Sequence, residues 1–466
     1  MGWMQFDPLH DSHGLHYHTR MSVRRGIAPA EALRELGRHI LVDGFGLVLD
    51  LEKSRGCHVV DAASRRTLLD LYGCFGSLPV GFNHPWMHRP EVESDLLVAS
   101  RAKSANSDVY TALYAEFVRT FHDLAGLAPL ERYFFIEGGA LAVENALKAA
   151  MDWKVRKNLA AGRGDRGTAI VHFDRAFHGR SGYTLSLTNT DPVKTDHFAK
   201  FPWPRVAAPA LDFSLPPSDR EKDAARKEAQ CEIVLREIIA RQREDIAAII
   251  IEPIQGEGGD RHFRASWFRT LRRLCDENDI LLIFDEVQSG GGTTGCMWCC
   301  EHFGVTPDLL AFGKKIQACG VMAGPRLDEV PDNVFRLPGR INSTWGGSLV
   351  DMTRATHMLR LIEHERLLEH AGSVGAAFVS GLQELAEKHP IISAVRGRGL
   401  MIAFDLPNRT VREEFYRGLF DLGLLALRSG ERSVRFRPAL DLPEEAIGEA
   451  IDILVTQCER MSRLAV

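Results

Sequence analysis

Along the middle of the chain, apolar residues fall into short unbroken runs, separated by longer stretches in which they recur at helical spacing. The runs are "YFFI", "TAIVHF", "IAAIII", "ILLIF" and "DLLAF". Unbroken runs of this length predict strands buried on both faces, and intervening segments such as "ASWFRTLRRLCDEND" predict the helices that cover them. The pattern is that of βα units around a mostly parallel sheet. Ahead of it, residues 47–72 alternate apolar and polar with Gly, Asp and Ser breaks, which predicts a small β meander. The segment "SDVYTALYAEFVRTFHDLAG" predicts a helix, with Ser107 as its N-cap and Gly126 beyond its last turn. Residues 211–230 are the most polar internal stretch and read as a surface loop entering a helix. After "NSTWGGSLVDM", long helices and the strands "AVRGRGLMIAFDL" and "SVRFRPAL" form an α+β region. Residues 1–30 lack periodicity and read as an arm.

Composition narrows the function. The chain has 466 residues, room for roughly two to four domains' worth of core. A net charge of −5 gives no basic field, so neither nucleic acid nor an anionic membrane is the expected partner. No apolar run approaches the roughly 20 residues that span a bilayer, and the N-terminus lacks a secretory layout, which makes the cytoplasm the expected location. Nine scattered cysteines fit reduced thiols. Cys296 and Cys299 of "CMWCC" have a metal-like spacing without a second ligand pair, so we read them as inert thiols and expect no metal. The histidines His10, His13, His16 and His18 fall in the polar arm.

In doubly wound sheets ligands bind beyond the carboxyl ends of strands, so the residues after the apolar runs carry the chemistry. After "FFIE" come Gly138, Gly139 and Ala140, opening a helix whose free N–H groups suit a phosphate; an ordinary tight turn has the same appearance. After "ILLIF" comes Asp285. A carboxylate there is either a solvated cap or the partner of a heterocyclic nitrogen. Lys314 and Lys315 follow "DLLAFG", 29 and 30 residues later. A phosphate cradle, a carboxylate for a ring nitrogen and a buried amine together describe a pyridoxal phosphate site, in which the amine forms a Schiff base and then shuttles a proton. Burial lowers a lysine pKa, which provides the free amine both roles need.

The runs "FDEVQSGGG", "DLLAFGKK" and "RAFHGRSGYTLSLT" resemble the class III, or ω-, aminotransferases. The resemblance extends from about residue 38 onward. More narrowly, "FIEGGALAVENALKAAMDWK", "EPIQGEGGDRHFR" and "NSTWGGSLVDM" resemble the lysine 6-aminotransferase branch. The resemblance implies an α/β, fold-type I enzyme with a large seven-stranded sheet domain over residues 86–347. A small α+β domain would be built from 31–85 and 348–466. It implies transfer of the terminal amino group of L-lysine to 2-oxoglutarate, giving 2-aminoadipate 6-semialdehyde, which cyclises, and L-glutamate. It also implies a homodimer with active sites at the interface.

Residue roles follow from the same resemblance. Lys314 is the Schiff-base lysine, and Lys315 points elsewhere, so that its loss spares colour and activity. Asp285 pairs with the ring nitrogen, Gln288 bonds the phenolic oxygen, Phe177 stacks on the ring, and Gly139 and Ala140 meet the phosphate. Thr344, with Ser343 beside it, reaches the phosphate from the other subunit, and Asn342 adjoins the substrate. Arg180 clamps the distal carboxylate of lysine. Arg435 binds the carboxylate next to the reacting carbon of glutamate. Glu257 pairs with Arg435 when lysine is bound and swings away for glutamate, which avoids a buried unpaired charge. Gly256, Gly258 and Gly259 are expected to permit that movement. The stretch around Asn83 and His84, and the triplet in "QSGGGTTGC", depart from the lysine branch and put donor chain length in question. Ornithine, 4-aminobutyrate and diaminobutyrate are the alternative donors. An amino-group shift within one molecule, or a binding protein that kept the fold, would be the alternatives in kind.

Overall fold

The computed structural model describes residues 26–464, so the arm's four histidines lie outside the described residues. A seven-stranded sheet runs in the order Arg132–Ile136, Cys319–Ala323, Leu309–Phe312, Leu281–Asp285, Ile246–Ile251, Ala169–Phe173 and Arg205–Val206. Only Cys319–Ala323 is antiparallel to its neighbours, Arg132–Ile136 and Leu309–Phe312. Ile246–Ile251, Leu281–Asp285 and Leu309–Phe312 are buried at every position. Their side chains alternate between two cores. Ile249, Ile251, Leu282, Phe284, Leu310 and Phe312 pack on one face, and Ala248, Ile250, Leu281, Ile283, Leu309 and Ala311 on the other. Helices on both faces explain why these strands read as unbroken apolar runs.

The chain ends build a second core. The strands His58–Val60 and Thr67–Asp70 form an antiparallel pair, extended in parallel by Leu424–Leu425. A four-stranded antiparallel sheet, ordered Ser393–Arg398, Met401–Asp405, Ser433–Phe436 and Leu427–Ser429, stands beside them. Cys57, Leu69, Leu71 and Val80 share one apolar cluster with residues from Met358 to Met461. The helix Leu349–His364 serves both cores: Met352, Ala355 and Leu359 join the sheet core, and Met358, Leu361 and Ile362 join this one.

One local expectation changes. The helix expected after Ser107 spans Ala112–Ala125 and is capped by Thr111, whose hydroxyl accepts from the Tyr114 N–H at 3.1 Å. The Ser107 hydroxyl instead donates to the Thr344 carbonyl at 3.3 Å. Gly126 does end the helix: a Cβ there would lie 2.3 Å from the His122 carbonyl oxygen. The polar stretch at 211–230 enters the helix Pro217–Gln242. In "CMWCC", the N–H groups of Cys299 and Cys300 both donate to buried Glu286, at 2.8 Å each, and burial raises the thiols of both cysteines.

Candidate active site

Parallel register brings the candidate residues to one edge of the sheet. Asp285 is the last residue of its strand and lies opposite Ala311 of the next, so Lys314 follows within a few residues on the neighbouring strand. On the other side Ile251 pairs with Phe284, which delivers Glu252 and Glu257 beside Asp285. The strand Ala169–Phe173 then supplies Phe177 and His178.

The two lysines part at a tight turn. Lys314 has φ +47°, the left-handed region, and its half-buried side chain donates to the Phe75 carbonyl at 2.9 Å. Water reaches it from one side, with protein around the rest. Burial, helped by the positive charges of Arg435 and Arg437, pushes its ammonium down to about 8, while Glu257 and Asp285 oppose the fall. Lys315 is 2% exposed and donates to the Leu78 and Pro438 carbonyls, each at 2.7 Å. Burial pushes it down to about 7 against the pull of Asp441 and Asp70. It does point elsewhere. It also ties three distant segments together, so its removal affects stability, which the sequence reading missed. Both the 73–87 stretch and the glycine triplet serve this corner: Phe75 and Leu78 accept from the lysines, and a Cβ on Gly291 would lie 2.8 Å from Lys315 Cβ.

Asp285 is buried and its Oδ2 is bonded to His178 Nδ1 at 2.7 Å, while its Oδ1 accepts from the Val287 N–H at 3.1 Å. Glu252, fully enclosed, accepts from the N–H groups of Phe177 at 2.8 Å and Gly256 at 3.2 Å, and burial pushes its carboxyl up to about 7. It thereby fastens the loop carrying Phe177 to the loop carrying Glu257. Val287 lies between two glycines: a Cβ on Gly139 would meet its Cγ1 at 2.7 Å, and one on Gly313 at 3.4 Å. Gly139 begins the helix Gly139–Ala160, and Gly138, with φ +101°, supplies no side-chain cap, which leaves the first N–H groups available to an anion.

The charged wall lies at the end of the strand Ser433–Phe436 and just beyond it. Arg435, 2% exposed, pairs with Oε2 of Glu257 and donates to Gln288 Oε1 at 2.9 Å. Arg437 pairs with buried Asp260 and also donates to Gln288 Oε1, at 3.1 Å and 3.2 Å. Two guanidiniums on one atom fix that atom as the amide oxygen, and the Gln288 NH2 is turned away from them. Burial alone would raise the Glu257 carboxyl; the charges of Arg435 and Lys194 outweigh it and hold it below the ordinary range.

The glycines around Glu257 serve a different purpose from the one expected. A Cβ on Gly256 would lie 2.0 Å from Gln288 Oε1, and one on Gly258 2.0 Å from the Arg175 carbonyl oxygen. The Gly430 N–H donates to the Glu257 carbonyl at 3.0 Å. Gly256 and Gly258 permit close packing, Gly259 has φ +117°, and the Glu257 backbone is held, which leaves side-chain rotation as its route of movement.

Arg180 is exposed and makes no ion pair among the described residues. Asn342 and Thr344 are exposed and Ser343 half-buried; the segment bonds to itself, Ser343 N–H to Asn342 Oδ1 at 2.8 Å and Gly346 N–H to Ser343 Oγ at 3.1 Å. Among the described residues, no side chain of the segment is bonded to the Lys314 corner.

A model of the class III aminotransferases matches residues 43–457. The chain belongs to that family. Among relatives within it, the L-lysine-epsilon aminotransferase of Streptomyces clavuligerus is 48% identical over 90% of this chain and 92% of its own length. The enzyme of that name from Amycolatopsis lactamdurans is 45% identical over 90% of this chain and 93% of its own. The solved lysine aminotransferase of M. tuberculosis, in its internal aldimine form, superposes with a TM-score of 0.90 at 47% identity, covering 92% of this chain and 99% of that one. The class III fold, with its large central sheet, is therefore as expected. His178, Glu252, Val287 and Lys194 were not singled out from the sequence. His178, Glu252 and Val287 stood inside the quoted runs "RAFHGRSGYTLSLT", "EPIQGEGGDRHFR" and "FDEVQSGGG" without being given a role.

Proposed function

We propose that this class III aminotransferase transfers the terminal amino group of L-lysine to 2-oxoglutarate. The observation that carries the reading is the Arg435–Glu257 pair beside Lys314 and Asp285. A guanidinium with a removable carboxylate partner suits a site that must accept first a donor with no carboxylate near its reacting end, then one that has it. The lysine-epsilon aminotransferase relatives support the choice of donor.

The cofactor is pyridoxal 5'-phosphate, and the residues fit it: an amine pushed down to about 8, a buried carboxylate oriented by a histidine, a partly buried aromatic ring and an uncapped helix N-terminus. When bound, it supplies the carbonyl that receives the substrate's amino group and a ring that takes up the electron pair left by the broken C–H bond. Lys314 Nζ would anchor it and, once displaced by the substrate's amine, would be the free amine that takes the proton from the reacting carbon. Asp285, held by His178, keeps a proton on the ring nitrogen. Gln288 would offer its NH2 to the phenolic oxygen, Phe177 would cover one ring face, and Gly139 and Ala140 would give N–H groups to the phosphate. Arg180 binds the far carboxylate of lysine, and Glu257 stays on Arg435. For glutamate or 2-oxoglutarate Glu257 withdraws and Arg435 takes the carboxylate next to the reacting carbon.

The working unit is a homodimer in which Asn342, Ser343 and Thr344 complete the partner's site. Support comes from the exposure of Asn342 and Thr344 and from the apolar area beside them, where Trp345, Val109 and Tyr110 are 43%, 63% and 75% exposed. We place the boundaries of the small domain at residues 31–85 and 348–466, on the shared core of the chain ends. Nine unpaired cysteines support a reducing, cytoplasmic setting, and no helix among the described residues is long and apolar enough to cross a membrane. The test is to mix cofactor-loaded enzyme with L-lysine, L-ornithine and 4-aminobutyrate separately and to identify the products. Rapid conversion of L-lysine to the cyclised 6-semialdehyde is expected. Preference for another donor would overturn the assignment of lysine.

A further inference from the structure

Lys194 has no place in the mechanism above, yet its ammonium is bonded to Oε1 of Glu257 while Arg435 holds Oε2. It ends the short turn Pro192–Lys194, which is capped by Asp191, whose Oδ1 accepts from the Val193 N–H at 3.1 Å. Asp191 Oδ2 also accepts from Arg409 at 3.3 Å, so the turn is fastened to the helix Arg409–Leu422. The ammonium stands 5.4 Å from the centroid of the Phe177 ring. Lys194 and Glu257 are 24% and 25% exposed, against 2% for Arg435.

These positions make the two cations unequal. Arg435 is buried and fixed by Gln288, whereas Lys194 reaches Glu257 on a flexible stem from the solvent side. A carboxylate that rotates off Arg435 loses one partner. It need not lose both. We propose that Lys194 is a specificity-determining positioning residue, the second seat of Glu257, which keeps the carboxylate paired when Arg435 is given over to a substrate carboxylate. This rests on the reading of Glu257 as a movable gate. With the gate closed, Glu257 keeps Arg435 whether or not Lys194 is present. With it open, Lys194 is the partner that remains. Removing Lys194 therefore acts mainly against dicarboxylates.

The experiment uses cofactor-loaded Lys194→Met, Lys194→Arg and Glu257→Ala enzymes and the Lys194→Met, Glu257→Ala double variant. Each is mixed with L-glutamate or L-lysine in separate half-reactions, and each is titrated calorimetrically with glutarate, a dicarboxylate that cannot react. Lys194→Met is expected to raise the KM for L-glutamate and the Kd for glutarate by roughly five- to thirty-fold relative to its effect on L-lysine, with kcat for glutamate changing less than KM. Lys194→Arg should restore most of the loss, and in the Glu257→Ala background Lys194→Met should have no further selective effect. A selective effect that persists without Glu257 would make Lys194 a direct ligand and overturn the proposal, as would equal effects on both donors. If Glu257→Ala itself fails to separate the two donors, the gate reading falls. If it separates them and Lys194→Met does not, only the role of Lys194 falls.

Discussion

Replacing Glu257 with alanine tests the gate most directly. Arg435 is 2% exposed, and breaking a fully buried pair by removing one partner destabilises by about 3–5 kcal/mol. Here the penalty is smaller. Glu257 is 25% exposed, so water can replace part of it, and Gln288 Oε1 still accepts from Arg435 at 2.9 Å. About half of that range, ~1.5–2.5 kcal/mol, remains to be felt when the methylene chain of lysine displaces the water, a loss of roughly 10- to 70-fold in kcat/KM for L-lysine. L-Glutamate brings its own carboxylate to Arg435 and no longer has to displace Glu257, so its half-reaction should hold or improve in KM. Rapid mixing of cofactor-loaded enzyme with each donor, followed by loss of the starting absorbance band, measures both. Equal losses in the two halves would mean a rigid structural pair and would refute the gate.

Other outcomes follow from the lysine pair and the dimer. Lys314→Ala should lose at least about 100-fold in turnover, whereas Lys315→Met should keep the cofactor covalently attached and unfold several degrees lower, read by absorbance and calorimetry. Lys315 sits near 7 in the fold against 10.5 when unfolded, so the unfolded chain binds more protons between those values. Stability from this group therefore rises with pH across that window and is lost as pH falls toward 7; Lys315→Met should flatten the rise in denaturant titrations at pH 7 and 9, and an unchanged slope would count against the assignment. Mixing Lys314→Ala chains with Thr344→Ala chains under exchange should restore roughly a quarter of wild-type activity, because half of the dimers then carry one complete site. No gain over the separate variants would show that Thr344 does not serve its partner.

Much of this was legible in the sequence for a physical reason. Strands buried on both faces cannot alternate, so their runs stand out, and parallel register then sends whatever follows them to one edge. That is how Asp285 and the Lys314–Lys315 pair could be brought together from the pattern alone, whereas Phe177, and the choice of Lys314 over Lys315, came only from the family resemblance. Polar contacts across the edge carry no such period. Nothing in the spacing of Lys194, Glu252 or His178 says which way each side chain turns, and their partners lie 63, 75 and 107 residues away. Capping failed at Ser107 for the same reason, since its hydroxyl is taken by Thr344, 237 residues on. The glycines flanking Glu257 were read as freedom to move, because a sequence shows the missing side chain and not the Gln288 and Arg175 atoms that occupy its place.

Two arginines two residues apart, Arg435 on the strand Ser433–Phe436 and Arg437 just beyond it, each hold a carboxylate, and the difference between the two pairs explains why only one can act as a gate. Arg437 and Asp260 are 1% and 0% exposed, so neither charge can part from the other without standing bare in a dry interior. Burial lowers Arg437 to about 10 even with Asp260 in place. Glu257 has water on one side and a second cation in reach. Both guanidiniums share Gln288 Oε1, so the fixed pair holds that oxygen, the oxygen holds Arg435, and Arg435 waits in one position for whichever carboxylate arrives. Exchanging the inner Asp260 for asparagine should therefore loosen Arg435 toward both dicarboxylate and lysine complexes alike, whereas changes at Glu257 should separate them; the same half-reaction measurements distinguish the two, and a donor-selective effect at Asp260 would contradict this division of labour.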